Sequence, residues 1–187
     1  MGFDQYWLLT WTTYGQWLPG DPRGSVTRVR TAPGKPRIEH DQFQTPYDGP
    51  MPELQRAARN AMKSDPVWLT RPQAELLLEQ FQETAAYRRW GLAAVAIMAN
   101  HVHLVVGAPA GVTWDSLLRD FKSYGSRKLN AQPEPANKPH TWWTQSGSRR
   151  RLPDEQGVRH AIEYVRQQSH PLVIHILERL DVSPPSE

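Results

Sequence analysis

Alternating and continuous apolar runs predict four strands along the chain. Aromatic and β-branched residues alternate faces over 6–13 and predict the first strand. A short apolar run over 92–98 predicts a central strand, and 101–106 follows the turn Ala99-Asn100 as its hairpin partner. The aromatic and threonine-rich segment 140–145 predicts the fourth strand.

Apolar residues at helical spacing predict four helices between these strands. They cover about 52–62, 71–90, 114–130 and 155–168. Asp154 precedes the last of them and is a favourable residue type at a helix N-terminus. The order of elements is typical of a ferredoxin-like α+β fold, an antiparallel sheet of βαββαβ type with additional helices.

The domain organisation follows from the same pattern. We expect a single domain over 1–175 with a proline-rich insertion at about 22–52, because that stretch is polar and lacks periodicity. Residues 176–187 are predicted to form a disordered tail.

Composition limits the classes of function. The chain has no cysteine, which excludes disulfides and thiolate chemistry, and we expect a cytoplasmic protein. No apolar run reaches the roughly 20 residues that span a bilayer, so no membrane association is expected. The net charge of +3 allows nucleic acid as a partner without requiring it.

His101 and His103 are candidate metal ligands. On an extended strand their side chains project to the same side, while Val102 and Leu104 point to the other side, into a core. Two imidazoles at this spacing can share one divalent cation. The alternative is a pair of histidines on the solvated face of a strand.

Four segments resemble single-tyrosine transposases, and most of all the REP-associated tyrosine transposases and their insertion-sequence relatives. Segment 7–14 resembles their first strand. Segment 96–106 (AIMANHVHLVV) resembles their His-hydrophobic-His signature. Segment 117–128 (LLRDFKSYGSRK) resembles the helix that carries their nucleophilic tyrosine. Segment 155–171 resembles their C-terminal helix, although Gln167 and Gln168 replace the usual paired asparagines there.

The resemblance implies an HUH-type fold and a transposase that cleaves and rejoins single-stranded DNA beside a hairpin. It implies a 5′-phosphotyrosine intermediate on Tyr124, with Mg²⁺ or Mn²⁺ held by His101 and His103. Without the resemblance, Tyr124 would be read as a core residue, since it continues an apolar helical stripe. Insertion-sequence relatives often use a glutamine one helical turn after the tyrosine as third ligand. That position is Lys128 here, so the candidates for a third ligand are water, His140 or none.

The segment from Arg119 to Arg151, which contains the expected nucleophile, is more basic than the chain average and is a candidate path for DNA phosphates. Trp142 and Trp143 either stack unpaired bases or belong to the core. The residues expected to contact DNA are Lys122, Arg127, Lys128, Trp142, Trp143, Arg149, Arg150 and Arg151.

Two other functions compete with an active transposase. One is a non-catalytic protein that binds DNA hairpins as a regulator. Both the transposase and this regulator could form a homodimer. The other is a small metalloenzyme that acts on small molecules, which the basic, tryptophan-bearing segment disfavours.

Overall fold

The computed structural model describes residues 2–22, 50–132 and 139–177. Within them the chain forms five strands and four helices. In chain order these are β1 (Gln5–Thr12), α1 (Pro52–Asn60), α2 (Arg71–Arg88), β2 (Gly91–Ile97), β3 (His101–Ala108), α3 (Trp114–Asn130), β4 (Ser148–Leu152), α4 (Glu155–Arg166) and β5 (Val173–Ile176). No helix among the described residues is long and apolar enough to cross a membrane.

The five strands form one antiparallel sheet in the order β4-β1-β3-β2-β5. The first four strands have the order of a ferredoxin-like sheet, so the predicted α+β fold is confirmed. Strand β5 extends this sheet beyond β2 and was not predicted. Its last residue, Ile176, falls within the expected disordered tail. Residues 23–49 and 178–187 hold most of the expected insertion and tail and lie outside the described residues.

The fourth strand lies later in the chain than predicted. Residues 140–145 contribute only an isolated bridge, between Trp143 and Thr13. The ladder with β1 resumes at Ser148, and the basic run itself forms β4. Gly147 sits at this irregularity, where a Cβ atom would lie 2.8 Å from the Thr10 carbonyl oxygen. A larger residue would push the two backbones apart, which explains the glycine there.

The two faces of the sheet are covered by different helices. Helices α2 and α3 pack on one face, where the rings of Phe81 and Phe121 meet edge to face with centroids 5.5 Å apart. Helix α4 covers the other face through Val158, Ile162 and Val165. Because side chains alternate along a strand, each residue of β3 is assigned to one helix layer or the other.

This alternation sets the orientation of the histidines. Val102 and Leu104 belong to the core under α2 and α3, whereas Val105 belongs to the core under α4. His101 and His103 share the parity of Val105 and therefore lie on the α4 face. The prediction that His101 and His103 face away from Val102 and Leu104 is confirmed, but the histidine face is itself covered, and Val105 and His103 are buried there.

Candidate active site

His101 and His103 form a close pair at the beginning of β3. Their ring centroids are 4.8 Å apart and the rings are nearly perpendicular. His103 is buried and His101 is half-buried. The imidazoles are therefore near neighbours in a partly desolvated site rather than two histidines on a solvated face.

Hydrogen bonds to the Nδ1 atoms set the orientation of both rings. Asn100 Oδ1 lies 2.7 Å from His101 Nδ1, and because this oxygen can only accept, the Nδ1–H of His101 donates to it. Thr10 Oγ1 lies 2.8 Å from His103 Nδ1. Nε2 is then the nitrogen of each ring that can bind a ligand, for His103 in the tautomer whose Nδ1–H donates to Thr10 Oγ1. A partner on the remote ring nitrogen is the usual arrangement for histidine ligands of metals.

Burial keeps both imidazoles neutral near neutral pH. It lowers the pKa of His101, and it lowers the pKa of His103 to about 3 with a further contribution from the neighbouring His101. A neutral imidazole has the free lone pair that coordination requires.

The turn that precedes His101 is fixed to strand β1. The Thr13 backbone N–H donates to the Asn100 carbonyl oxygen at 2.9 Å, and the Thr13 hydroxyl oxygen lies 3.1 Å from the same carbonyl oxygen. Asn100 thus joins the end of β1 to the ring of His101. The sequence identified Asn100 only as a turn residue, and its contact with the histidine comes from the structure.

Tyr164 is the tyrosine that the fold brings to the histidines. Its ring centroid lies 5.3 Å from that of His103, edge to face. It belongs to α4, whose apolar side rests on the histidine face of the sheet. About half of its side chain, 48%, is exposed, so the ring is open to a large substrate. The sequence pattern alone did not distinguish Tyr164 from an ordinary residue of an amphipathic helix.

Tyr124 lies elsewhere. It belongs to α3, whose residues Leu117 and Phe121 pack on the opposite face of the sheet from the histidine pair. Tyr124 is half-buried, and the guanidinium of Arg127 lies 5.1 Å from its ring centroid. The structure therefore separates Tyr124 from His101 and His103 by the thickness of the sheet, contrary to the expectation from sequence.

Gln168 follows Tyr164 by four residues, just after the end of α4. Its side-chain amide donates to the Tyr164 carbonyl oxygen at 3.0 Å. Gln168 is half-buried, unlike its exposed neighbour Gln167. The amide nitrogen is engaged, so the side-chain oxygen Oε1 is the atom that could serve as a ligand.

Two of the lysines expected to contact DNA have protein partners. Lys122 Nζ donates to the carbonyl oxygens of Thr144, Gln145 and Ser146, and burial lowers its pKa to about 8. Lys128 Nζ lies 3.5 Å from a carboxylate oxygen of Glu79, on α2. Both ammonium groups thus hold α3 to neighbouring parts of the protein.

The structure places both tryptophans of the basic segment in the core. Trp142 and Trp143 are 4% and 5% exposed. Their indole N–H groups donate to Asn130 Oδ1 and to the Lys122 carbonyl oxygen, each at 3.0 Å. Of the two interpretations left open by the sequence, burial in the core is confirmed. Neither ring is accessible for stacking on a base.

Strand β4 divides the three arginines between the faces of the sheet. Arg150 pairs with Leu8 in the register, shares the face of buried Leu152, and so lies on the histidine face. Arg149 and Arg151 point the other way. The guanidinium of Arg149 lies 3.9 Å from the ring centroid of Trp114, on α3.

The side chains around the histidine pair fit a weakly held divalent cation. Among the described residues, no three His, Cys, Asp or Glu side chains come together as a metal site, so His140 does not complete one. Two neutral imidazoles would leave positions for water, for phosphate oxygens of a substrate or for a further protein ligand such as the Gln168 amide oxygen.

Comparison with known proteins gives a family match and a structural likeness. The chain matches the family model described as "Transposase IS200 like" over residues 61–168, more than half of its length. Among solved structures, it is similar to a REP-associated tyrosine transposase bound to a REP hairpin, at 12% identity and a TM-score of 0.47, with 87% of this chain and 65% of that chain covered. A candidate transposase from Deinococcus radiodurans is 16% identical, with a TM-score of 0.42 and coverage of 88% and 91%. No curated protein matches the chain.

Proposed function

The chain belongs to the IS200-like transposase family, and from this premise we propose that it cleaves and rejoins single-stranded DNA with Tyr164 as its nucleophile. The observation that carries the proposal is the contact between the Tyr164 and His103 rings, 5.3 Å between centroids. A nucleophile and the groups that activate its target must share one face of the fold. Tyr164 meets that requirement and Tyr124 does not.

The position of Gln168 supports the same assignment. The resemblance to insertion-sequence transposases implies a glutamine ligand one helical turn after the tyrosine. Counted from Tyr124, that position holds Lys128, a cation that cannot coordinate a metal. Counted from Tyr164, it holds Gln168. One tyrosine therefore accounts for both the histidine contact and the expected glutamine.

The reaction proposed is a transesterification. The Tyr164 phenol oxygen attacks the phosphorus atom of a DNA phosphodiester and loses its proton. A bond forms between phosphorus and the tyrosine, the bond from phosphorus to the 3′ oxygen breaks, and that oxygen takes up a proton. One DNA end remains on the enzyme as a 5′-phosphotyrosine and the other leaves with a free 3′-hydroxyl. Attack by a 3′-hydroxyl of a second strand reverses the step without an external energy source.

His101, His103 and Gln168 would hold the divalent cation, Mg²⁺ or Mn²⁺. When bound, such a cation polarises a phosphoryl oxygen and stabilises the charge that develops in the transition state. Thr10 and Asn100 keep the two imidazoles in the orientation that leaves both Nε2 atoms available. Half-exposed Tyr164 then lies where a DNA strand can reach it from solvent.

The proposal is tested by trapping the covalent adduct. Labelled hairpin oligonucleotides with randomised single-stranded flanks are incubated with the protein and Mn²⁺, and adducts are separated on a denaturing gel. We expect Tyr164→Phe to abolish the adduct and Tyr124→Phe, the matched control, to keep it within a few-fold. Peptide mapping should place the DNA on Tyr164.

The other outcomes are equally informative. Loss of the adduct in Tyr124→Phe but not in Tyr164→Phe would return the role to Tyr124. Tight hairpin binding without adduct, in the wild-type protein and with either metal, would favour the non-catalytic regulator.

A further inference from the structure

Trp68 differs from the other tryptophans in its exposure. The eight tryptophans of the chain all lie among the described residues. Seven are buried or half-buried, whereas Trp68 is 61% exposed. A large aromatic ring left in water forgoes the burial that stabilises the other seven, which directs attention to what it could bind.

The backbone on both sides of Trp68 is held in place. Val67 and Leu69 are buried in the core, so the ring between them faces outward. The Thr13 hydroxyl donates to the Val67 carbonyl oxygen at 2.7 Å, and the Leu69 N–H donates to the Ala99 carbonyl oxygen. Trp68 therefore has an exposed side chain on an immobilised main chain, unlike an aromatic residue at the tip of a free loop.

The same hydrogen bonds tie Trp68 to the proposed active site. Ala99 and Asn100 form the turn that leads into β3, and Asn100 orients His101. Thr13 contacts the Val67 and Asn100 carbonyl oxygens with one hydroxyl group. Trp68 and His101 thus belong to the same end of the sheet and are joined by a short chain of hydrogen bonds.

We propose that Trp68 is a stacking platform for an unpaired base of the DNA strand that enters the active site. This inference rests on the proposed function, because it needs a single-stranded substrate at the histidine pair. A flat ring fixed at the same end of the sheet as the proposed cleavage site accepts the face of any base, which suits a strand held for cleavage. A protein partner would need a contiguous apolar patch, yet the neighbours of Trp68 in sequence, Asp65, Pro66 and Thr70, are exposed and mostly polar.

Two single-stranded probes of equal length separate stacking from attraction to phosphates. One is a thymidine oligonucleotide, and the other carries the same sugar-phosphate backbone without bases. Binding is measured with Tyr164→Phe protein, so that cleavage does not interfere. We expect Trp68→Ala to weaken binding of the thymidine probe by about 5- to 150-fold and to leave the abasic probe unchanged. Trp68→Phe should restore most of the affinity.

Tyr87→Ala is the matched control. Tyr87 is 79% exposed, but it lies at the far end of α2, about 24 Å along the helix from Arg71. The Tyr87→Ala variant should bind both probes with the affinity of the parent protein. Equal weakening of both probes in Trp68→Ala, no weakening at all, or a similar loss in Tyr87→Ala would overturn the proposal. So would a change of oligomeric state in Trp68→Ala without loss of DNA affinity, because the ring would then meet a second copy.

The two proposals fail in different ways. If Tyr164 forms no adduct but base-dependent binding requires Trp68, then the stacking platform stands and the nucleophile assignment falls. If Tyr164 forms the adduct and Trp68→Ala binds both probes normally, then the nucleophile assignment stands and the stacking platform falls.

Discussion

At the scale of single residues, the site depends on which atoms are left available by their neighbours. Asn100 and Thr10 occupy the Nδ1 atoms of His101 and His103, so that each imidazole offers Nε2. Gln168 similarly donates its amide N–H to Tyr164, which leaves the oxygen. Each potential ligand is thus restricted to one donor atom, and small changes in the supporting residues should alter metal affinity.

Substitution of Gln168 tests this arrangement without relying on catalysis. We expect Gln168→Ala to weaken Mn²⁺ binding in the presence of hairpin DNA, because one ligand oxygen is lost. Gln167→Ala, which changes an exposed neighbour, should bind like the wild-type protein. Isothermal titration calorimetry measures both. Equal affinities of the two variants would remove Gln168 from the ligand set.

The half-buried ammonium of Lys122 gives a prediction about stability and pH. Burial lowers its pKa in the folded protein to about 8 from an ordinary value of 10.5. Between these values the unfolded chain binds more protons than the folded one, so the free energy of unfolding rises with pH over this window. Below pH 8 the lysine is charged in both states and its contribution is constant.

The measurement compares the wild-type protein with Lys122→Met by chemical denaturation from pH 7 to pH 10.5, a range that spans the two pKa values. We expect the wild type to gain stability relative to the variant as the pH rises above about 8. Other titrating groups are common to both proteins and cancel in the difference. A difference that does not vary with pH would mean that the pKa of Lys122 is the same in both states.

At the scale of the elements, strand alternation decides which side chains can act together. The sequence predicts the parity of β3 well, because the apolar residues between the histidines require one face to be buried. It does not predict which helix covers the histidine face. Tyr124 and Tyr164 both lie in amphipathic helices, and only the packing of α3 and α4 on opposite faces distinguishes them. The spacing of Tyr164 and Gln168 is the one signal in the sequence that favours Tyr164 over Tyr124 as the nucleophile.

Strand β4 shows a second reason why the sequence alone did not predict the whole fold, since it misplaced the fourth strand. Its residues are mostly arginine, a composition that does not indicate a strand, whereas the aromatic segment before it does. The aromatic residues of that segment, Trp142 and Trp143, fill the core and do not form a regular strand. The ladder with β1 makes β4 a strand by pairing, and tertiary contacts thus override local preference there.

The parity of β4 leads to a prediction about DNA binding. Arg150 lies on the face of the proposed active site and Arg151 on the opposite face. We expect Arg150→Ala to weaken binding to single-stranded DNA and to reduce the slope of log affinity against log salt by about 0.7, the value for one phosphate contact. Arg151→Ala, the matched control, should leave the slope unchanged. Equal slopes for the two variants would mean that the face on which an arginine of β4 lies does not decide whether it contacts a DNA phosphate.

At the scale of the whole molecule, the sheet brings together residues that are distant in the chain. Thr10, His103 and Tyr164 come from β1, β3 and α4, and their contacts exist only when these three elements are assembled. The resemblance to a transposase family identified the reaction class from short segments, and the family match supports it. The proposal of Tyr164 as the nucleophile required the complete fold, because it depends on which helix covers the histidine face rather than on any one segment.

The last prediction concerns how metal and DNA depend on each other. Two imidazoles and one amide oxygen are few ligands for a hard cation, so we expect weak Mn²⁺ binding to the free protein and tighter binding when hairpin DNA supplies phosphate oxygens. By linkage, Mn²⁺ must raise the affinity for DNA by the factor by which DNA raises the affinity for Mn²⁺. Calorimetric titrations in both orders measure the two factors, with Tyr164→Phe protein to prevent cleavage.

His103→Ala should abolish the coupling but spare metal-free hairpin binding, whereas His160→Ala, which alters an exposed histidine of α4, should preserve both. Chelator should reverse the coupling in the wild type. Tight Mn²⁺ binding to DNA-free protein, or coupling that survives His103→Ala, would place the metal elsewhere.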